Sequence, residues 1–410
     1  MFARLLLLAA IYLLSLPTHA QDSTLTRLIR QNSAPFAPAG PQFTGPGWEA
    51  LQRAISQSQF VLLGEEPHGA AEIPGFADAV AQVLHPKAFV VEISPYEAQQ
   101  LNQLAAQPGL PTAYQHHYPF SLSFYSYTEE FQLAQALHAR GVSVVGIDMH
   151  YVGNTGHLLD QMADLAQNKR VQATLRWQAQ TYLTHDRQVY QPGSKAQFYL
   201  STRSPAAVDS LVALTTHESA QVQQMMQALA TSYAISRTYQ TRTPLPTGFS
   251  GHQARVNLLK RSLLSQLKPY QTGATQRLPK LLFKFGTNHV GRDRALGSNI
   301  FDIGNLVANL ADAQDSRSLH LLVVGKQGTQ NTTDTFDHTQ NSSPLTPQDN
   351  DYLQAFFNQS GPTWQLVDLR PARQALMKHQ LAVQNPLLER TLLNFDYLII
   401  IPTVTASGNY

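Results

Sequence analysis

Phe60-Val61-Leu62-Leu63-Gly64-Glu65-Glu66-Pro67-His68-Gly69-Ala70-Ala71-Glu72 is the stretch on which the reading of this chain turns. Residues 60–63 form a short apolar run closed by a glycine, which predicts a buried strand. Residues 73–84 carry apolar positions at helical spacing and predict a helix. Between them stand two carboxylates, a proline, a histidine and a second glycine. Titratable groups at the carboxyl end of a strand, just before a helix, occupy the place where open α/β sheets build their sites.

The same arrangement recurs along the chain. A strand over 88–92 ends on Glu92, with Ser94 as N-cap and Pro95 as first residue of the next helix. A strand over 142–147 runs into Asp148, Met149 and His150, and one over 281–285 into Gly286-Thr287-Asn288-His289. Further strands are predicted over 319–324, 364–369 and 397–401, and helices over 48–56 and 129–140. Strands alternating with helices imply an α/β fold: a mostly parallel central sheet flanked by helices on both faces.

Other regions break this rhythm. Residues 153–268 are mostly helical, with Pro/Gly breaks near 192 and 244–251, and read as a helical insertion capping the site. Residues 108–126 are aromatic and irregular. Residues 21–45, rich in Pro, Gly, Ser and Gln, read as an irregular leader. Residues 326–350 read as a polar, low-complexity loop. The domain organisation expected is thus a leader followed by one α/β domain over 46–410.

Bulk properties narrow the function. With a net charge of +2 and 14% charged residues, no field favours nucleic acid. The 410 residues include no cysteine, which excludes disulfides, thiolate metal sites and cysteine nucleophiles. Arg4, the apolar run 5–16 and Thr18-His19-Ala20 form a secretory signal pattern over 1–20. That run is too short for the ~20 apolar residues a membrane span needs. A periplasmic or extracellular protein follows, with no stable membrane insertion after cleavage. Nothing in the sequence bears on oligomeric state.

Residues at the carboxyl ends of neighbouring parallel strands converge in space, so Glu65 with His68, Glu92, Asp148 with His150, and His289 are expected to meet. Histidine takes a proton from water near neutral pH, and a carboxylate orients it and stabilises its charged form. Taken singly, each residue has a plainer reading as a cap or a solvated side chain, and Glu66 is read that way. His116, His117, His157, His185, His217 and His252 lack a strand-end setting and are read as structural or surface residues. No Gly-x-Ser-x-Gly elbow supports a serine hydrolase.

Gly64-Glu65-x-x-His68-Gly69-x-x-Glu72 resembles the G-E-x-T-H-G-x-x-E signature of the erythromycin esterase family. The resemblance continues in order through Val90-Val91-Glu92 and Val145-Gly146-Ile147-Asp148-Met149. It runs on through Arg255 at the start of a helix, Asn288-His289-Val290, Arg294-Ala295-Leu296-Gly297 and Phe395-Asp396-Tyr397-Leu398-Ile399, covering about 48–404. It implies hydrolysis of a small-molecule ester by water, with His68 as general base and Glu65 and Glu92 orienting it or the water. It further implies that His289 contacts the substrate carbonyl or leaving oxygen and that Arg255 stabilises the oxyanion. Asp148, Glu72, Tyr118 and Phe124 are the candidates for substrate contacts.

Two departures stand out. Gly286 occupies the place of the family's first histidine in H-N-x-H, and Pro67 that of a threonine. The missing imidazole points away from efficient macrolide hydrolysis towards a different ester, a weaker enzyme or a non-catalytic relative. A remoter resemblance, to Tiki-like metal-dependent proteases and ChaN-like haem-binding proteins, rests on the Gly-Glu-x-x-His opening and on Gly286-x-x-His289. No cofactor is predicted and no metal ligand is assigned. A divalent metal on two histidines and two carboxylates is the alternative chemistry.

Overall fold

The structure is a computed structural model that describes residues 16–271, 277–332 and 342–410. Residues 1–15 of the signal-type segment at 1–20 lie outside them. Eleven strands are described: β1 (Ser33–Ala39), β2 (Gln42–Thr44), β3 (Phe60–Glu66), β4 (Ala88–Val91), β5 (Ser143–Gly146), β6 (Leu281–Gly286), β7 (Ser318–Gly325), β8 (Gly328–Asn331), β9 (Ser342–Leu345), β10 (Trp364–Asp368) and β11 (Tyr397–Ile401). Nine of them form one sheet in the order β2-β1-β10-β11-β7-β3-β6-β4-β5. From β11 to β5 every neighbour pair is parallel, whereas β10, β1 and β2 continue the sheet antiparallel at one edge.

Burial on both faces explains the apolar strand sequences. Side chains alternate across a strand, so Val61 and Leu63 enter one core while Phe60 and Leu62 enter the other. The first core takes in Ile73 and Phe76 of helix Glu72–Leu84 and Phe131 of helix Thr128–Ala139. The second takes in Leu259 and Leu263 of helix Gly251–Leu267 and Val307 of helix Ile303–Asp312. The helix at Pro95–Ala105 begins as its sequence predicts: Ser94 caps it, and Glu97 closes a capping box.

The region from Val152 to Tyr270 is helical, as its pattern predicts, and helices Thr155–Leu165, Lys169–Asp186 and Ala220–Thr241 share a third apolar core. Among the described residues no helix is long and apolar enough to cross a membrane.

Two expectations are corrected. Residues 21–45 are not an irregular leader: they contribute to helix Leu16–Gln31 and form β1 and β2. Phe36 and Phe43 pack there with Trp48, Phe76 and Trp364. The segment 326–350 is not wholly loop, because β8 and β9 pair antiparallel within it and a 3-10 stretch starts at Pro347. Its centre, 333–341, lies outside the described residues.

Candidate active site

Four strands deliver side chains to the carboxyl edge of the sheet. Glu65 is the penultimate residue of β3, and Glu92, Asp148 and His289 follow β4, β5 and β6 closely. Parallel register sets Glu65 beside Gly286 and Leu63 beside Lys284. Alternation sends Glu65 and Lys284 to the face packed by helix Thr128–Ala139, and Glu92 to the face covered by helix Gly251–Leu267.

On the first face, His68 Nδ1 lies 2.9 Å from Glu65 Oε1. A carboxylate only accepts, so Nδ1 carries the proton and the Nε2 lone pair of the neutral ring is left for other work. Lys284, buried at 4% side-chain exposure, donates to Glu65 Oε1 at 2.8 Å and to Glu130 Oε1 at 2.5 Å. Burial alone would raise the Glu65 carboxyl, but Lys284 and the hydrogen bond from His68 hold it below its ordinary value. Glu130 goes the other way: burial pushes it up to about 7 despite Lys284. Burial also works against a charged His68, yet the hydrogen bond and charge of Glu65 outweigh it and raise the imidazole. The ring stacks on Phe124 at 4.4 Å between centroids, and its side chain keeps 37% exposure.

Two glycines permit this loop. Gly69 has φ +75°, and a β-carbon on it would stand 2.8 Å from the Asn331 carbonyl oxygen. Gly286 is bare beneath the imidazole: a β-carbon there would lie 3.0 Å from His68 Nε2 and 3.5 Å from Glu92 Oε2. The position at which a histidine is expected by resemblance is therefore the floor under His68.

On the second face, His289 Nδ1 is 2.9 Å from Asp302 Oδ2 and Nε2 is 3.2 Å from Glu92 Oε1. With a carboxylate on each nitrogen, the ring holds both protons. Burial opposes that charge, but Glu92 and Asp302 raise the imidazole to about 10. Arg255 Nη2 donates to Glu92 Oε1 at 2.8 Å and also to Asp148 Oδ2, while its Nε donates to Asp148 Oδ1 at 3.0 Å. The Gly286 amide donates to Glu92 Oε2 at 2.8 Å. Burial would raise Glu92, and His289 and Arg255 together hold it well below the usual carboxylate range.

His68, Glu65, Glu92, His289, Arg255 and Asp148 thus converge, and Phe124 backs the His68 ring. Glu72 does not join them. It accepts from the Thr405 amide and hydroxyl, tying the C-terminal segment to the start of helix Glu72–Leu84. Tyr118 is also elsewhere, donating to Asp160 and packing on His157. Four further residues belong to the constellation: Lys284, Glu130, Asp302 and His252, whose ring centroid is 6.5 Å from that of His289. Beside the cluster opens a cavity of about 350 Å³, walled by Glu92, Asp148, Arg255, Phe124 and further aromatic side chains.

The donor set does not suit a divalent metal. Glu65 is already faced by Lys284, and Glu92 and Asp148 by Arg255. Among the described residues no group of three or more His, Asp or Glu side chains is arranged to hold one.

No protein-family model and no curated protein matches the sequence. Solved structures do resemble the fold. A Bacillus cereus protein is similar with a TM-score of 0.58 at 16% identity, over 95% of this chain and 99% of that one. A succinoglycan biosynthesis protein gives 0.58 at 13% identity over the same shares. A histidine-to-asparagine variant of the erythromycin esterase EreC, in its open conformation, gives 0.54 at 14% identity over 88% of this chain and 94% of that one. The chain therefore has an erythromycin esterase-like α/β fold.

Proposed function

We propose that this chain is an exported hydrolase that cleaves a carboxylic ester with a water molecule activated by His68. The observation carrying the reading is the His68–Glu65 pair, whose Nδ1 is fixed at 2.9 Å while Nε2 lies over bare Gly286 at the edge of the sheet. In this mechanism Nε2 takes a proton from water as the water oxygen bonds to the ester carbonyl carbon. Glu65 stabilises the imidazolium, as Lys284 keeps that carboxylate ionised. The carbonyl oxygen gains charge in the tetrahedral intermediate, and Arg255, whose guanidinium carries more N–H donors than the ones given to Glu92 and Asp148, is the donor for it. Collapse of the intermediate breaks the bond to the leaving oxygen, which receives the proton back from His68. The products are an acid and an alcohol.

The EreC likeness supports the same class of chemistry at the level of fold. The test is acid release from a panel of uncharged esters by the purified chain, with and without a chelator. Turnover indifferent to chelation is the expected result. No turnover on any ester would overturn the reading, and activity abolished by chelation and restored by manganese or zinc would replace it with metal-dependent hydrolysis.

A further inference from the structure

The cavity beside the cluster has a chemistry of its own. Its aromatic walls are Phe120, Phe124, Tyr127, Tyr151, Tyr190 and Tyr239. Phe120, Phe124 and Tyr127 come from the 112–127 region, Tyr151 from the segment after β5, and Tyr190 and Tyr239 from the helical insertion, so the chamber lies between two layers of the fold. Phe124 is shared with the reaction centre, because it stacks on the His68 ring at an interplanar angle of 18°. A group seated in the chamber therefore shares the Phe124 ring with the proposed base.

Charge and size narrow what fits. Glu92, Asp148 and Asp302 outnumber the two cations they face, Arg255 and His289, so a ligand that carries a full negative charge of its own is disfavoured beside this wall. Glu97, also on the wall, is pushed up to about 7 by burial against hydrogen bonds from Ser94, Ser123 and Asn154. An added anion would meet this carboxyl as well as Asp148. At about 350 Å³ the cavity is near the lower end of the ~300–1,000 Å³ typical of small-molecule sites. Aromatic side chains favour rings that stack edge-on or offset.

We infer that the chamber binds the aromatic group of a compact, uncharged ester, so that the substrate is a neutral arylalkyl ester rather than an aliphatic, anionic or macrocyclic one. This rests on the hydrolase reading, and the experiment separates the two. Acid release is compared for ethyl 3-phenylpropanoate, ethyl hexanoate and the monoanion of ethyl hydrogen succinate, and 3-phenylpropanol binding is measured by calorimetry. The expected result is a kcat/KM about tenfold higher for the phenylpropanoate than for the hexanoate, the scale that an aromatic contact supports. The succinate should be slower still. Tyr239→Ala and Tyr151→Ala, both at partly exposed positions (49% and 38%), should each pull the phenylpropanoate-to-hexanoate ratio towards one.

Equal kcat/KM for the phenylpropanoate and the hexanoate would overturn the chamber assignment and leave the hydrolase standing. So would a ratio indifferent to both tyrosine variants. Binding of 3-phenylpropanol with no turnover of any ester would do the reverse.

Discussion

Two histidines meet at this sheet edge, and each touches a carboxylate at about hydrogen-bonding distance, yet they are built for opposite work. His68 has one carboxylate, on Nδ1, and keeps more than a third of its side chain open. His289 has a carboxylate on both nitrogens and is 6% exposed. The first is a group whose proton can come and go. The second is a fixed cation across the neutral range. The lesson is that the number of partners on an imidazole, and not the presence of a partner, separates a proton carrier from an electrostatic prop. The two halves also occupy opposite faces of the sheet, each with its own cation: buried Lys284 under Glu65, and half-buried Arg255 beside Glu92 and Asp148.

The comparison breaks first at His68. His68→Ala should lower kcat by about 10²–10⁴-fold, the range of a lost general base, as measured by acid release with the fold checked by circular dichroism. A loss under threefold would make the two histidines equivalent. Arg255→Met attacks the other face. It should cost about 10²–10³-fold if this wall stabilises the developing oxyanion, and kcat should fall more than KM rises. Lys284→Met sharpens the contrast through stability, because it leaves Glu65 and Glu130 buried without a counter-charge. A loss of about 3–5 kcal/mol is expected from denaturant unfolding.

The smallest effect is the dependence on pH. His289 has a folded value near 10, raised from 6.5, so the stability it contributes is complete below 6.5 and is lost as pH climbs through 10. The difference in melting temperature between wild type and His289→Gln should therefore shrink steadily from pH 6.5 to 10. A constant difference would remove His289 from the role of fixed cation.

Much of the site was legible because parallel strands bring their carboxyl ends together whatever the sequence distance. That reasoning was enough to gather Glu65, His68, Glu92, Asp148 and His289, but it also drew in His150, which is buried with its amide on Ser232 Oγ and makes no hydrogen bond to the cluster among the described residues. Lys284 escaped although its signal was present: a lysine inside the apolar run Leu281-Leu282-Phe283-Lys284-Phe285 needs buried counter-charges. Glu130 was hidden because it reaches the site from a helix on the sheet's face, and Asp302 because its position follows from helix capping beside His289. His252 sat in a helix with no strand-end cue. Tyr118 and Glu72 were drawn in by neighbourhood in sequence, which says nothing of direction in space.

The N-terminal strands were missed for a compositional reason. Pro35 and Pro38 read as loop, but β1 lies near the antiparallel edge of the sheet, where proline is tolerated.

The central claim is that His68 Nε2 moves the proton. Chemical rescue of His68→Ala tests it most directly, since the bare floor at Gly286 leaves room beside the deleted ring. The account predicts that added imidazole restores turnover in proportion to its concentration as free base, with a pH dependence following the added imidazole. Turnover of His68→Ala at the wild-type rate without imidazole would contradict it.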